Sequence, residues 1–265
     1  MSLRKLAVTI RNCSYIGDLS QNYKTEDALR IYSQQTIVYE GLNHALRSRK
    51  LDILLHYRGF IADMYQGIQT LRREQQHQHT DVTSTFYYRG QRMHVEELEL
   101  VRQNKYLSIN TFFSTSTNPE VAELFMPPLD QNVVQSVLFK LHVNTANEIQ
   151  PFADIKTCSN VPDEDETLFI PGTIFLISKV TEPSNGVETH TSPKYWIIDL
   201  ELCNTHPREL NTTFEYFSQS NNLSTLAKLG GFSRHIGKYD IAHRCYETLL
   251  VETGKNCIDS IFVMA

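Results

Sequence analysis

The chain has 265 residues, 41% of them hydrophobic and 21% charged, with 11 glycines and 9 prolines. That composition excludes collagen-like, low-complexity and wholly disordered chains. Its length fits one large domain, or one domain with a small appendage. A net charge of −5 argues against a broad basic face for nucleic acid, and no apolar run approaches the ~18 residues that span a bilayer.

The first ten residues lack the apolar stretch and small-residue site of a secretory leader. Cys13, Cys158, Cys203, Cys245 and Cys257 are scattered without a C-x-x-C pair, which fits free thiols in a reducing compartment. A cytoplasmic protein with no membrane and no nucleic-acid partner is therefore expected.

In chain order, residues 1–35 read as a polar extension with a short charged helix at Thr25–Tyr32. Val38, Leu42, Ala45 and Leu46 then share one helical face, and Leu54, Tyr57, Ile61, Met64, Ile68 and Leu71 step by three and four as a core stripe. His77 and His79 are two residues apart, which turns them to different sides of a helix, so no metal site is expected. From Thr85 the pattern becomes β-prone. Phe86–Tyr88 is a short strand stopping at Arg89-Gly90, and Glu96–Asn104 a helix. Ile109–Ser116 is a strand, and Pro119–Phe125 a helical turn. Val133–Val143, Thr173–Val180 and Tyr195–Leu202 are strands, the last two joined as a hairpin. Helices followed mainly by strands predict an α+β fold. Residues 36–205 would form the main domain. Residues 206–265 would be a linker and two helices, Leu223–His235 and Lys238–Val251, with Ala242 allowing close approach and Tyr239 and Tyr246 filling the groove. This pair resembles half of a tetratricopeptide unit and is a candidate contact for a protein partner.

Three segments carry chemistry. They are Tyr88-Arg89-Gly90, then Phe112-Phe113-Ser114-Thr115-Ser116, then Glu164-Asp165-Glu166. Taken singly, each has an ordinary structural explanation: a surface arginine, an edge strand, a solvated acidic loop. In this order, at separations of 25 and 52 residues, they supply a cationic clamp, a hydroxyl platform and a carboxylate pair. Arginine binds phosphate oxygens bidentately, and a carboxylate beside an anomeric carbon stabilises an oxocarbenium-like transition state. That set suits a nucleotide-sugar transfer.

The order resembles the arginine-specific mono-ADP-ribosyltransferases, whose pattern is Arg, then Ser-Thr-Ser, then Glu-x-Glu. Here those positions are Arg89, Ser114-Thr115-Ser116, Glu164 and Glu166. The segment YEGLNHALR (Tyr39–Arg47) is similar to the family's helical lead-in. The resemblance spans roughly residues 30 to 203 and implies a two-sheet, mainly antiparallel core with a central cleft for NAD as co-substrate. It implies that Arg89 holds NAD by phosphate and ribose, and that Gly90 offers backbone groups to the nicotinamide amide. Ser114 would position the ribose and the second glutamate. Phe112 or Phe113 would pack on nicotinamide or belong to the core, while Thr115 and Ser116 would contact ligand or brace the strand. Glu166 would be the catalytic carboxylate, and Glu164 would direct transfer onto protein arginine. Guanidinium, with a pKa above ~12, is a poor nucleophile, so a carboxylate that orients it and accepts its proton is required. In alternation on one strand or turn, Glu164 and Glu166 could both face the cleft. The preceding loop, 154–163, would face the acceptor, with Val161 where some relatives carry an aromatic. Two other readings stay open: NAD hydrolysis, and a silent domain that binds a partner through its helical tail.

Overall fold

A computed structural model describes residues 23–34, 36–78, 84–126, 133–144, 152–159, 165–183, 195–203, 224–235 and 237–253. His79, Val161, Glu164 and the expected turn at 184–186 lie outside them. Contacts divide the chain into two units, Met1–Thr205 and His206–Ala265.

The first unit opens with a 3-10 turn at Thr25–Asp27 and three helices: α1 (Ala28–Ser33), α2 (Ile37–Ser48) and α3 (Leu51–Gln78). Strands and short helices follow: β1 (Ser84–His94), α4 (Val95–Gln103), β2 (Tyr106–Ser108), β3 (Phe113–Ser116) and α5 (Pro119–Leu124). The rest are strands: β4 (Val134–Asn144), β5 (Phe152–Asp154), β6 (Glu166–Phe169), β7 (Ile174–Thr181) and β8 (Trp196–Leu202). The expected helical stripe is in place. Tyr57, Met64 and Ile68 are fully buried on α3 together with Phe60, and Leu54, Ile61 and Leu71 pack at the margin.

Three expectations need correcting. β1 does not stop at Arg89-Gly90; its antiparallel register with β4 continues to His94↔Val134. The stretch from Ile109 to Ser116 is strand only from Phe113. Ile109 instead ties into a turn, its N–H donating to Thr173 O (3.0 Å) and its carbonyl accepting from Gly172 N–H (2.7 Å). Thirdly, the expected two sheets are one eight-stranded mixed sheet of order β2-β7-β8-β4-β1-β3-β6-β5. The β4/β8 pair is parallel and the other pairings are antiparallel.

The sheet is nevertheless weakly joined at its middle. β1 and β3 share the single register pair Tyr88↔Ser116. On one side lie five strands ending in β1, and on the other the three short strands β3, β6 and β5. Side chains rather than ladder bonds bring these lobes together. Tyr87 of β1 meets Phe152 and Phe169 edge-on at 5.7 and 5.6 Å. Phe152 stacks on Phe169 at 4.7 Å, and Phe113 meets Phe139 at 5.9 Å. Aromatic pairs of this geometry add to the burial of their area. Period-two alternation sends Phe113 and Phe169 into this core and Phe112 and Leu168 into a second one beneath the helices. Glu166, two residues before Leu168, shares the latter's face.

In the second unit, α6 (Thr225–His235) and α7 (Tyr239–Thr253) form a helical hairpin. Gly237 turns it with φ of 74°, a value that suits glycine, and Lys238 N–H closes the helix end on Ser233 O at 2.7 Å. Ala242 is buried as expected. Tyr239 is 69% exposed and does not fill the groove, whereas the Tyr246 ring packs against Gly230 of α6 as expected. Among the described residues Cys158, Cys203 and Cys245 are free thiols.

Candidate active site

A cavity opens where the sheet is joined by its single bridge. Arg89 and Gly90 enter it from β1, Ser114, Thr115 and Ser116 from β3, and Glu166 from the start of β6. The helical side contributes Tyr32, Ser33 and Tyr39, and the segment after β3 contributes Val121, Ala122 and Phe125. Thus six expected residues, far apart in sequence, line one cavity.

Arg89 is the best-fixed of them. Its Nη1 donates to the Ser114 carbonyl at 2.7 Å, its Nε to Gln91 Oε1 at 3.2 Å, and its guanidinium lies 4.7 Å over the Phe113 ring. Phe113 is therefore placed under the arginine in the core and does not line the cavity. Burial pushes the Arg89 pKa down. Tyr39, Tyr32 and Glu166 act to keep the charge, and Arg47 opposes it. A second guanidinium is thus close enough to be felt. Tyr32 in turn senses both Glu166 and Arg89; burial raises its pKa above the ordinary phenol value. Its hydroxyl donates to Asn43 Oδ1 (3.2 Å) and accepts from Asn43 Nδ2 (3.0 Å), and its ring packs against Tyr39 and Phe112 at 4.9 and 5.3 Å.

The other expected residues divide by environment. Thr115 is buried, with Oγ1 donating to Thr167 O at 2.9 Å. Ser116 Oγ accepts from Asn118 N–H at 3.1 Å, and Asn118 caps α5 by accepting from Glu120 N–H at 2.9 Å. Gly90 has a packing reason. A Cβ there would stand 2.0 Å from the Ala122 carbonyl, so only glycine lets α5 lie this close and form the cavity wall. Glu166 is held by its backbone: it pairs with Ser116 in register, and its carbonyl accepts from Ile155 N–H at 2.9 Å. Asp165 is left-handed, with φ of 44°, and β6 begins only at Glu166. The strand that carries Glu166 thus begins directly after a left-handed residue.

The NAD:arginine ADP-ribosyltransferase family matches residues 10–192. The chain belongs to that family. Its reaction class is ADP-ribosyl transfer and its co-substrate is NAD. Among solved structures this transferase is similar to the Vis toxin of Vibrio splendidus, at 21% identity over 69% of this chain and 74% of that one, with a TM-score of 0.48. Exoenzyme S of Pseudomonas aeruginosa is 18% identical over 72% and 82% (TM-score 0.46). The C3 exoenzyme of Clostridium limosum is 15% identical over 68% and 84% (TM-score 0.46). No match was found among curated proteins. No helix of the described residues is long and apolar enough to cross a membrane, and they hold no group of three or more metal-ligating side chains.

Sequence reasoning missed several lining residues of the transferase. Tyr32, Ser33, Val121 and Phe125 carry no motif. Tyr39, at the start of the Tyr39–Arg47 segment, lines the cavity as well.

Proposed function

We propose that the protein transfers ADP-ribose from NAD to arginine side chains of a protein, releasing nicotinamide. The observation supporting this is the convergence of Arg89, Ser114 and Glu166 from three strands on one cavity. Arg89 offers its positive charge to the pyrophosphate, where charge-assisted bonds are strongest. Ser114 sets the ribose, and Gly90 brings backbone polar groups to the nicotinamide amide. The bond between the ribose anomeric carbon and nicotinamide breaks, and nicotinamide leaves with the electron pair. Glu166, beside that carbon, stabilises the oxocarbenium-like charge. Glu164 orients the incoming guanidinium and takes its proton as the new C–N bond forms. Water in place of arginine gives NAD hydrolysis from the same intermediate.

The test uses labelled NAD with agmatine as acceptor. Glu166→Gln should lower both transfer and nicotinamide release by about a hundred-fold or more, the usual cost of one transition-state charge stabiliser. Glu164→Gln should lose transfer and keep hydrolysis. Equal activity of wild type and Glu166→Gln would refute the mechanism. Hydrolysis without transfer in wild type would make the protein a glycohydrolase, and no activity at all would favour a silent partner-binding domain.

A further inference from the structure

Just past the last backbone bond of the β5–β6 hairpin, two opposite charges meet. Asp154 pairs with Thr167 in register, Ile155 N–H bonds to Glu166 O, and next Lys156 Nζ sits 2.5 Å from Asp165 Oδ1. The lysine is anchored from behind. Its own N–H donates to Asp154 Oδ1 at 2.7 Å. The Asp154 backbone is gripped at both polar groups by the Gln75 carboxamide of α3, with Nε2 donating to the carbonyl (2.7 Å) and Oε1 accepting from the N–H (3.1 Å). Fixed contacts thus run from the long helix to Asp165. Asp165 adopts a left-handed φ of 44°, which aspartate tolerates better than most residues but which still costs energy without glycine. This residue sets the direction in which the chain enters β6 at Glu166. Neither Lys156 nor Asp165 lines the cavity.

We infer that Lys156 and Asp165 are positioning residues: they clasp the entry to β6 and so set how ADP-ribose is divided between arginine and water. This rests on the transferase reading above. The sequence puts three acids in a row, Glu164, Asp165 and Glu166. The middle carboxylate adds negative charge beside the two assigned to chemistry. Pairing with Lys156 neutralises it and holds the left-handed turn between them. Hydrolysis needs Glu166 and a water; transfer also needs Glu164, the neighbour of Asp165 in sequence, to receive an acceptor. Loosening the clasp therefore costs transfer more than hydrolysis. Both partners are about half exposed, so added salt screens the pair.

The experiment compares the full chain with Lys156→Gln, Asp165→Asn and Lys156→Arg. Asparagine suits the left-handed conformation as well as aspartate does, so Asp165→Asn removes the charge alone. Nicotinamide release with and without agmatine gives the transfer-to-hydrolysis ratio, and amide hydrogen exchange follows residues 155–166. The ratio should fall roughly two- to five-fold in Lys156→Gln and Asp165→Asn, the scale of an exposed ion pair. It should persist in Lys156→Arg. Exchange across 155–166 should quicken in the two neutral variants. Raising salt should lower the ratio in wild type and leave both neutral variants flat. An unchanged ratio, or equal loss of transfer and hydrolysis, overturns the clasp. If wild type releases no nicotinamide, the transferase reading fails and exchange alone decides: unaltered protection in Lys156→Gln overturns the clasp, and quickened exchange supports it.

Discussion

Arg89 spans the seam of the sheet, its Nη1 donating to the backbone carbonyl of Ser114 at 2.7 Å. A side chain of β1 thus answers a carbonyl of β3 two residues from the one backbone bridge. A lysine keeps the charge but lacks the fork, so it cannot hold Gln91, Ser114 and a phosphate together. Arg89→Lys should raise KM for NAD roughly thirty-fold, the equivalent of about 2 kcal/mol for a charge-assisted bond. Steady-state nicotinamide release measures it, with circular dichroism to verify folding.

The contact of Gly90 with Ala122 makes a second expectation. In Gly90→Ala the new methyl would meet the Ala122 carbonyl at 2.0 Å, and α5 must shift. Overpacking of this kind costs about 1–3 kcal/mol, and here it also moves a cavity wall, so Tm should fall and KM for NAD rise together. Gly172 makes a control: it has φ of +89° and open space around its Cβ position. Gly172→Ala should lose stability through backbone strain, about 1–2 kcal/mol, with KM unchanged.

Thr115 separates bracing from ligand contact. Its hydroxyl is committed to the Thr167 carbonyl inside the protein. Thr115→Val should destabilise by about 1–3 kcal/mol, the cost of a buried acceptor left unpaired, while kcat/KM stays within roughly a factor of two. Urea unfolding and initial rates on the same preparation test this, and a collapse of kcat/KM at intact stability would make Thr115 a ligand contact.

Alkaline pH should weaken the first unit. Burial raises the pKa of Tyr32, and burial followed by the hydrogen bond to Asp63 raises that of Tyr23. Both phenols therefore stay protonated in the folded protein when the unfolded chain begins to ionise near 10. Their contribution is complete below that range and is lost as pH rises through the folded values. Urea midpoints should drop above pH 10. In Tyr32→Phe the midpoint at neutral pH is lower, because Asn43 loses its partner, but the alkaline fall is shallower.

What the sequence reveals here follows from the range of each signal. The α3 stripe and the alternation of Ile198, Leu200 and Leu202 are local periodicities, and they correspond to buried faces. Arg89, Ser114 and Glu166 were legible as an ordered set because each residue type has a chemical reason. β5 was missed: three residues on an edge, gripped by a glutamine 79 positions away, leave no periodic trace. Phe112 and Phe113 show the same limit. Adjacent residues in extended chain face opposite ways, but only the fold decides which of them lies beneath the arginine. The left-handed φ of Asp165 likewise leaves no trace in composition or periodicity.

The one-rung junction at Tyr88↔Ser116 gives the molecule a mechanical character. A single bridge transmits little torque, so the lobes are not locked by their backbones. The pile of Tyr87, Phe152 and Phe169 beneath acts as the bearing on which they rest. The rings that join the lobes line no part of the cavity themselves. Altering their bulk is the route by which distant substitutions would retune the chemistry above.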